Sequence, residues 1–271
     1  MYLRIAEPME KLFIIKIGGN VLDDAESLAS FLDDFAAVKG KKILVHGGGK
    51  IASRIGDKLG IQSKYVGGRR VTDEATIDLV TMVYGGLVNK QLVALLQRQG
   101  CNALGVTGAD GNLIRAVRRP VKDIDFGYVG DITPDDVNVS LLEQLLNAGT
   151  VPLFAPLTYA DGSMLNTNAD TISASLAIAL TRRYSVRLIY CFEKKGVLLD
   201  IKDEDSVITH LTEARYKQLL TENVLADGIL PKLENAFSSI RQGVQEVLIG
   251  HAGDLIRNTG DDTAGTLITA T

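Results

Sequence analysis

The stretch FIIKIGGN, residues 13–20, decides the fold of this 271-residue chain. It begins with an almost continuous apolar run, Phe13 to Ile17, which is typical of a strand that is buried on both faces of a parallel sheet. A lysine, Lys16, interrupts the run, and Gly18 and Gly19 end it. A buried ammonium group is costly unless an anion compensates its charge. The stretch therefore predicts a central strand whose end presents charge and backbone N–H groups.

Apolar strands alternate with amphipathic helices along most of the sequence. This alternation predicts one α/β domain over residues 1–271, a three-layer αβα sandwich with an open, mainly parallel central sheet. We expect strands at residues 12–17, 42–45, 103–107, 151–155, 186–190, 246–249 and 266–269. We expect helices near residues 25–38, 50–59, 73–98, 141–147, 169–180, 212–221 and 232–242, and hairpins at residues 63–71 and about 107–130.

Composition narrows the class of protein. The chain is 46% hydrophobic and 23% charged, and its net charge of −4 without a dense basic run argues against nucleic acid and anionic membranes as partners. No apolar run approaches the roughly 20 residues that span a bilayer, and the N-terminal residues carry acids and a proline, so we expect a cytoplasmic protein. Cys101, Cys191 and the three histidines match no metal-ligand spacing, so we expect no protein-held metal and two cysteines in the core.

Glycine clusters follow the first two predicted strands, as KIGGN at residues 16–20 and HGGGK at residues 46–50. In an open parallel sheet, ligands bind beyond the carboxyl ends of the strands. Glycines there let backbone N–H groups approach a phosphate or a carboxylate, although a pair of glycines also suits a simple tight turn. Neither cluster fits the P-loop or the dinucleotide fingerprint, so bound phosphate would need another architecture.

Charged and amide side chains near these turns add candidates. Lys16 is placed to reach over the sheet edge, although an ion-paired or snorkelling lysine is the alternative. Lys232 follows Pro231 at a predicted helix start. A cation is unfavourable beside the positive end of a helix unless an anion lies between the ammonium group and the helix terminus. Arg70, next to Arg69 in the first hairpin, suits a bidentate grip on a carboxylate or a solvated loop tip. The segment NTNAD, residues 166–170, could cap the following helix or orient cations.

Six motifs, taken in order, resemble the amino-acid kinase family, and in particular its members that phosphorylate N-acetyl-L-glutamate. They are IIKIGG, VHGGGK, GGRRVT, VNK at residues 88–90, NTNAD and DGILPK. The resemblance covers essentially the whole chain. It implies the amino-acid kinase fold and transfer of the ATP γ-phosphoryl group to the side-chain carboxylate of N-acetyl-L-glutamate in arginine biosynthesis.

The resemblance also implies roles for individual residues. Lys16 and Lys232 would stabilise the transferring phosphoryl group, and Asp170 would hold the two lysines in position. The residues implied to give N–H groups to phosphate are Gly18, Gly19 and Gly47. Those implied to hold the acylated amino acid are Gly48, Gly49, Asn166 and Arg70, with Arg70 on its α-carboxylate. The adenine and ribose contacts fall in CFEKKGVLL, at Glu193, Gly196, Val197 and Leu198, where Glu193 stands in for the aspartate usual in the family.

The chemistry of the residues agrees with this assignment. A side-chain carboxylate with a reference pKa near 4.3 is ionised at neutral pH, so the nucleophile needs no general base. Positive charge and positioning are what a loose phosphoryl-transfer transition state requires. Mg²⁺ can be carried by the phosphates of ATP, since no carboxylate cluster is evident.

The resemblance implies an amino-acid lobe at about residues 1–180 and an ATP lobe at about residues 181–271. It also implies a homodimer formed through the long central helix. In the family, arginine-inhibited members are longer and carry an added N-terminal helix. About 11 residues precede the first strand here, so we expect no inhibition by arginine. N-succinyl-L-glutamate or another family substrate stays open as the acceptor. A non-catalytic amino-acid sensor is a distant alternative, because such a protein should have lost Lys16, Asp170 or Lys232.

Overall fold

The computed structural model describes residues 9–222, 224–225 and 227–271. The expectation for the first residues of the chain therefore lies mostly outside the described part. The strands are β1 (Lys11–Ile17), β2 (Lys41–His46), β3 (Lys64–Val66), β4 (Arg69–Val71), β5 (Ala103–Val106), β6 (Val117–Arg118), β7 (Gly130–Asp131), β8 (Val151–Phe154), β9 (Leu157–Ala160), β10 (Ser163–Asn166), β11 (Ser185–Phe192), β12 (His210–Thr212), β13 (Glu246–His251) and β14 (Thr266–Thr269).

The helices surround these strands. They lie close to the predicted positions except for two short ones, Gly19–Asp23 and Leu255–Thr259, which were not predicted. They are α1 (Gly19–Asp23), α2 (Ala25–Ala37), α3 (Gly49–Leu59), α4 (Glu74–Val80), α5 (Asn89–Arg98), α6 (Val139–Asn147), α7 (Ala169–Leu180), α8 (Glu213–Glu222), α9 (Leu230–Arg241) and α10 (Leu255–Thr259). A π-helical segment, Thr81–Val88, joins α4 to α5.

One eight-stranded sheet organises the molecule, in the order β12-β14-β13-β11-β1-β2-β8-β5. Neighbouring strands are parallel except for β13 and β14, which run antiparallel. Helices cover both faces, so the predicted three-layer sandwich with an open, mainly parallel sheet is confirmed. The strand β1 lies in the middle of the order, between β11 and β2.

The two faces of β1 belong to different layers because side chains alternate along a strand. Leu12 and Ile14 belong to a core cluster with residues of α7 and α9. Phe13, Ile15 and Ile17 belong to the cluster that contains residues of α2, α4 and α5. Each buried side chain of this size contributes about 1.5–3 kcal/mol. The sheet therefore provides a rigid base for the residues at the end of β1.

Lys42 is a second lysine in the sheet, and its role is structural. Its side chain is buried and its Nζ donates to three carbonyl oxygens at the C-terminal end of α2, those of Phe35, Ala36 and Val38, at 2.6–3.0 Å. Burial lowers the pKa of the Lys42 ammonium. A cation is favourable at a helix C-terminus, so Lys42 anchors the C-terminal end of α2 to the sheet.

Among the residues that the structure describes, three small antiparallel pairs accompany the main sheet. The predicted hairpin near residues 63–71 is present as β3 and β4, and the pair β6 and β7 occupies the second predicted hairpin. The hairpin of β9 and β10 was missed. Its turn, Asp161-Gly162, has positive φ angles at both residues, which is the ordinary Asp-Gly hairpin signal.

The long helix was predicted from the sequence, and it is apolar along much of its length. Residues Glu74–Arg98 form a continuous helical stretch of 25 residues that is long and apolar enough, by length and composition, to cross a membrane. Charged side chains interrupt the stretch, among them Asp78 and Lys90, so it contains no uninterrupted apolar run of about 20 residues, as expected from the sequence. In the structure, Leu79, Val83, Leu92 and Leu96 of this stretch are buried in the core. Core packing therefore explains the apolar residues on the buried side of the helix.

Candidate active site

The glycine clusters lie side by side where β1 and β2 end. The backbone N–H of Gly47 donates to the carbonyl of Ile17 at 3.2 Å, which extends the pairing of the two strands by one residue. That N–H is therefore engaged in the sheet rather than directed at a phosphate. Gly48 has a φ of +151°, and a Cβ there would lie 2.9 Å from the ring of Tyr84. Both the backbone conformation and the space require glycine at this position.

The predicted partner of Lys16 is Asp170. Lys16 is only 8% exposed, and its Nζ lies 2.8 Å from Oδ1 of Asp170. Asp170 sits in the first turn of α7, and the Asn168 side chain caps this helix by accepting from the N–H groups of Asp170 and Thr171. The cap fixes the helix start, so the carboxylate is held over the end of β1. Apart from the ion pair, no group in the described part of the chain donates a hydrogen bond to Oδ1.

Lys232 approaches the same cluster from the start of α9. Its Nζ lies 3.6 Å from the ring centroid of Phe192, and Lys16 Nζ lies 5.5 Å from the same centroid. Burial lowers the pKa of the Lys232 ammonium; Asp170 opposes this effect and Lys16 adds to it. The aromatic face compensates part of the cost of holding two cations close together. Sequence reasoning missed Phe192, although it lies in the quoted segment CFEKKGVLL.

A large cleft of about 990 Å³ opens beyond the ends of β1 and β11. This volume is at the upper end of the range for small-molecule sites. Most of the residues expected to contact the nucleotide line it, namely Gly18, Gly19, Glu193, Gly196, Val197 and Leu198, together with Lys232. Gly47, the remaining one, does not. Further apolar lining comes from Leu199, Ile201 and Ile229, and two more lysines, Lys50 and Lys194, add charge.

A smaller cleft of about 210 Å³ contains the residues expected to hold the amino acid, which are Gly48, Gly49, Arg70 and Asn166. Arg70 is 6% exposed, and its Nη2 donates to the carbonyl of Gly49 at 2.8 Å and to Ser53 Oγ at 3.0 Å. Its guanidinium group lies over the ring of Tyr65, 4.8 Å from the centroid. These contacts fix an arginine at the cleft wall, as recognition of a carboxylate requires.

The two clefts meet at one residue. Gly49 lines both of them, and the first turn of α7 runs from Ala169 in the smaller cleft to Asp170 in the lysine cluster. A group bound in the larger cleft and a group bound in the smaller one would therefore face each other near Lys16 and Lys232. Such an arrangement suits transfer of an anionic group between two ligands.

Other expected features of the sequence have clear positions in the structure. Cys101 and Cys191 are free and buried, as predicted, and burial raises the pKa of the Cys191 thiol to about 12. Among the described residues, no three His, Cys, Asp or Glu side chains are grouped so that they could hold a metal ion. The site around Lys16 and Lys232 instead contains lysines and glycine N–H groups. These groups fit the phosphates of a nucleotide that carries its own Mg²⁺.

The fold and the paired clefts define a class of phosphotransferase, and the sequence of residues 11–251 matches the amino acid kinase family. The chain belongs to this family. Within it, the chain is similar to acetylglutamate kinases. That of Bacteroides thetaiotaomicron is 53% identical over 252 residues, which cover 93% of this chain and 97% of the relative. That of Cytophaga hutchinsonii is 49% identical over 265 residues, which cover 97% of this chain and all of the relative.

Solved structures support the fold. N-acetylglutamate synthase from Neisseria gonorrhoeae, in complex with coenzyme A and N-acetyl-glutamate, superposes with a TM-score of 0.79 at 22% identity, over 95% of this chain and 59% of that one. Carbamate kinase from Giardia lamblia, bound to AMP-PNP, gives a TM-score of 0.70 at 12% identity, over 97% of this chain and 99% of that one. At these identities the likeness is one of fold alone.

Proposed function

We propose that the chain transfers the γ-phosphoryl group of ATP to the side-chain carboxylate of N-acetyl-L-glutamate, as a step of arginine biosynthesis. The products are N-acetyl-L-glutamyl 5-phosphate and ADP. The observation that carries this proposal is the cluster of Lys16, Asp170 and Lys232, in which Lys232 lines the larger cleft and Asp170 follows Ala169 of the smaller one. The identity of about 50% to acetylglutamate kinases over most of the chain supports the choice of acceptor.

The chain's own residues have separable tasks in this reaction. Arg70 and Asn166 would hold the acylated amino acid in the smaller cleft, with Arg70 on its α-carboxylate. The acceptor carboxylate is already ionised, so no side chain has to remove a proton. Lys16 and Lys232 would neutralise the charge that accumulates between the acceptor and the γ-phosphoryl group. Asp170 would keep the two ammonium groups in place before the substrates arrive.

The larger cleft would bind ATP. Gly18 and Gly19 would face the phosphates, whereas Glu193, Gly196, Val197 and Leu198 would line the adenosine end. Mg²⁺ held by the phosphates would supply additional charge neutralisation. This division supports an amino-acid lobe at about residues 1–180 and an ATP lobe at about residues 181–271, although residues 18–21 and 49–50 of the first lobe also line the larger cleft. A cytoplasmic location belongs to the same proposal.

An ATP-dependent hydroxamate assay tests the proposal, because hydroxylamine traps an acyl phosphate as it forms. The acceptors to compare are N-acetylglutamate, N-succinylglutamate, glutamate, aspartate and carbamate. We expect the highest kcat/KM with N-acetylglutamate. A higher kcat/KM with N-succinylglutamate would support the same reaction, with a succinyl rather than an acetyl group on the substrate. No hydroxamate with either acylglutamate would overturn the proposal and favour a sensor role.

A further inference from the structure

His46 is the one histidine of the chain that is fully buried, among the three in the sequence, yet the proposed reaction has no use for it. It is the last residue of β2 and immediately precedes the glycines of HGGG. Its side chain lies on the sheet face that Lys42 and Leu44 share, opposite the face of Lys16, because alternate residues of a strand point to the same side. The ring therefore lies behind the active site, where it meets the start of α5.

Two contacts determine which ring nitrogen carries the proton. Nδ1 lies 2.6 Å from the carbonyl oxygen of Gly47, which can only accept a hydrogen bond. Nε2 lies 3.3 Å from the side-chain nitrogen of Asn89, which can only donate. The neutral ring must therefore carry its proton on Nδ1. Burial supports the neutral form, because it lowers the pKa of His46 to about 4.

Asn89 is itself fixed in one orientation. Its Nδ2 also donates to the carbonyl of Leu153 at 3.0 Å, so both amide hydrogens are used. Its Oδ1 accepts from Lys90 Nζ at 3.1 Å, which excludes the flipped amide. Lys90 in turn donates to the carbonyl of Gly105 at 2.8 Å. A continuous chain of hydrogen bonds thus runs from the sheet edge at β5 to the glycine loop.

Gly47 is held at both of its peptide groups. Its N–H donates to the carbonyl of Ile17, and its carbonyl accepts from His46. In a trans peptide the carbonyl of one residue and the N–H of the next point in opposite directions. Fixing the Gly47 carbonyl toward the ring therefore aims the N–H of Gly48 away from the ring. Gly48 lines the smaller cleft, in which the acylated amino acid would bind.

We propose that His46 is a positioning residue whose Nδ1–H holds the Gly47–Gly48 peptide so that the Gly48 N–H points at the reacting anionic group, with Asn89 enforcing the required tautomer. This inference rests on the proposed function. A backbone donor that is oriented in advance stabilises charge in the transition state without reorganisation. His46 acts through the peptide and does not contact the substrates.

The variants His46→Asn and His46→Gln separate this role from a packing role. An asparagine amide can place an N–H near the position of Nδ1, whereas a glutamine amide reaches the position of Nε2 and leaves the Gly47 carbonyl without its donor. We expect His46→Gln to lower kcat by about 10- to 100-fold, with KM for ATP changed by less than about threefold. His46→Asn should recover most of that loss. His210→Asn, at an exposed histidine, is the control and should retain the wild-type rate.

A measurement on the wild-type protein keeps the inference testable if the variants do not fold. ¹⁵N shifts of the ring nitrogens distinguish the two neutral tautomers, and the three histidines give a spectrum simple enough to assign. We expect protonation on Nδ1 for His46. A proton on Nε2, or equal kcat values for wild type and a folded His46→Gln, would overturn the inference. Failure of the wild type to phosphorylate any acylglutamate would instead overturn the proposed function.

Discussion

Lys16 and Lys11 lie on the same strand, β1, but their side chains are 10% and 55% exposed, respectively. If Lys16 stabilises the transferring phosphoryl group, Lys16→Ala should reduce kcat by about 100-fold or more. Lys11→Ala removes a charge from the surface and should leave kcat unchanged. Initial rates in the hydroxamate assay, with circular dichroism to confirm folding, compare the two. An unchanged kcat for a folded Lys16→Ala would show that Lys16 has a structural role and does not act in the reaction.

His46 also makes the stability of the protein depend on pH. Burial lowers its pKa from about 6.5 to about 4, with a smaller contribution from the charge on Lys90. Between these values the unfolded state binds more protons than the folded state, so the free energy of unfolding falls as the pH drops from 6.5 toward 4. One pKa unit corresponds to about 1.4 kcal/mol, so the loss attributable to His46 approaches about 3 kcal/mol at pH 4.

Urea unfolding at pH 7, 6, 5 and 4.5 measures this loss, and His210→Asn is again the control. We expect His46→Asn to show a flatter dependence on pH than either the wild type or the control. Identical slopes for His46→Asn and the wild type between pH 6.5 and 4.5 would contradict the prediction.

Individual site residues differed in how far the sequence could reveal them. Lys16 and Lys232 could be found because each breaks a local rule, a charge in an apolar strand and a cation at a helix start. Phe192 breaks no such rule, since an aromatic residue at a strand end is ordinary. Its role depends on two tertiary contacts, because β11 lies beside β1 and α9 begins next to the Phe192 ring. The bond from Gly47 N–H to Ile17 depends in the same way on the register of β1 against β2.

The junction of α2 with β2 depends on Lys42. Replacing it in Lys42→Met leaves three carbonyl oxygens at the end of α2 without their donor while keeping the apolar stem. We expect the free energy of unfolding to fall by about 1–3 kcal/mol. Lys42 is on the sheet face opposite Lys16, so kcat should stay within about twofold of the wild type. The exposed neighbour supplies the control, because Lys39→Met should change neither quantity.

Chemical denaturation and the hydroxamate assay on the same preparations give both numbers for Lys42→Met. A loss of activity without a loss of stability would show that Lys42 acts in the reaction rather than in the fold.

Elements with strong local patterns were predictable, and those defined by their partners were not. Helix α2 follows from the periodic spacing of Leu28, Phe31, Leu32 and Phe35, and its observed bounds agree within one residue. The strand β12 has three residues and exists because it pairs with β14, which sequence periodicity does not reveal. The π-helical segment within the long helix carries no sequence signal of its own beyond Gly85-Gly86.

At the scale of the whole molecule, alternation of strands and helices determined the class of fold but not the order of the strands. The order places β1 between β2 and β11, so the glycine loop after β1 lies between residues that are far apart in sequence. Both clefts depend on that order. The antiparallel direction of β14 also follows from its partner β13 rather than from its own composition. Periodicity does not predict which residues the strand order brings together, whereas the ordered motifs of the family resemblance did.

The long helix also bears on the state of association. Met82 and Leu87 of its π-helical segment are 58% and 42% exposed. In a π-helix residues five apart are joined by hydrogen bonds, so the two side chains lie near each other. An exposed apolar pair on the helix that the family resemblance implies for dimerisation is consistent with a homodimer. We predict a mass in solution of twice 29.2 kDa, unchanged by arginine, which should also leave activity unchanged.

Met82→Lys tests whether this helix forms the interface. A lysine there would place an unpaired charge in an apolar contact, so we expect the protein to dissociate to a mass near 29.2 kDa at low micromolar concentration. Val117→Lys changes an apolar residue on β6 that is even more exposed than Met82, and it should leave the dimer intact. Light scattering after size exclusion distinguishes the two results. A Met82→Lys variant that keeps the dimeric mass would place the interface elsewhere, and a hexameric wild type inhibited by arginine would contradict the predicted assembly altogether.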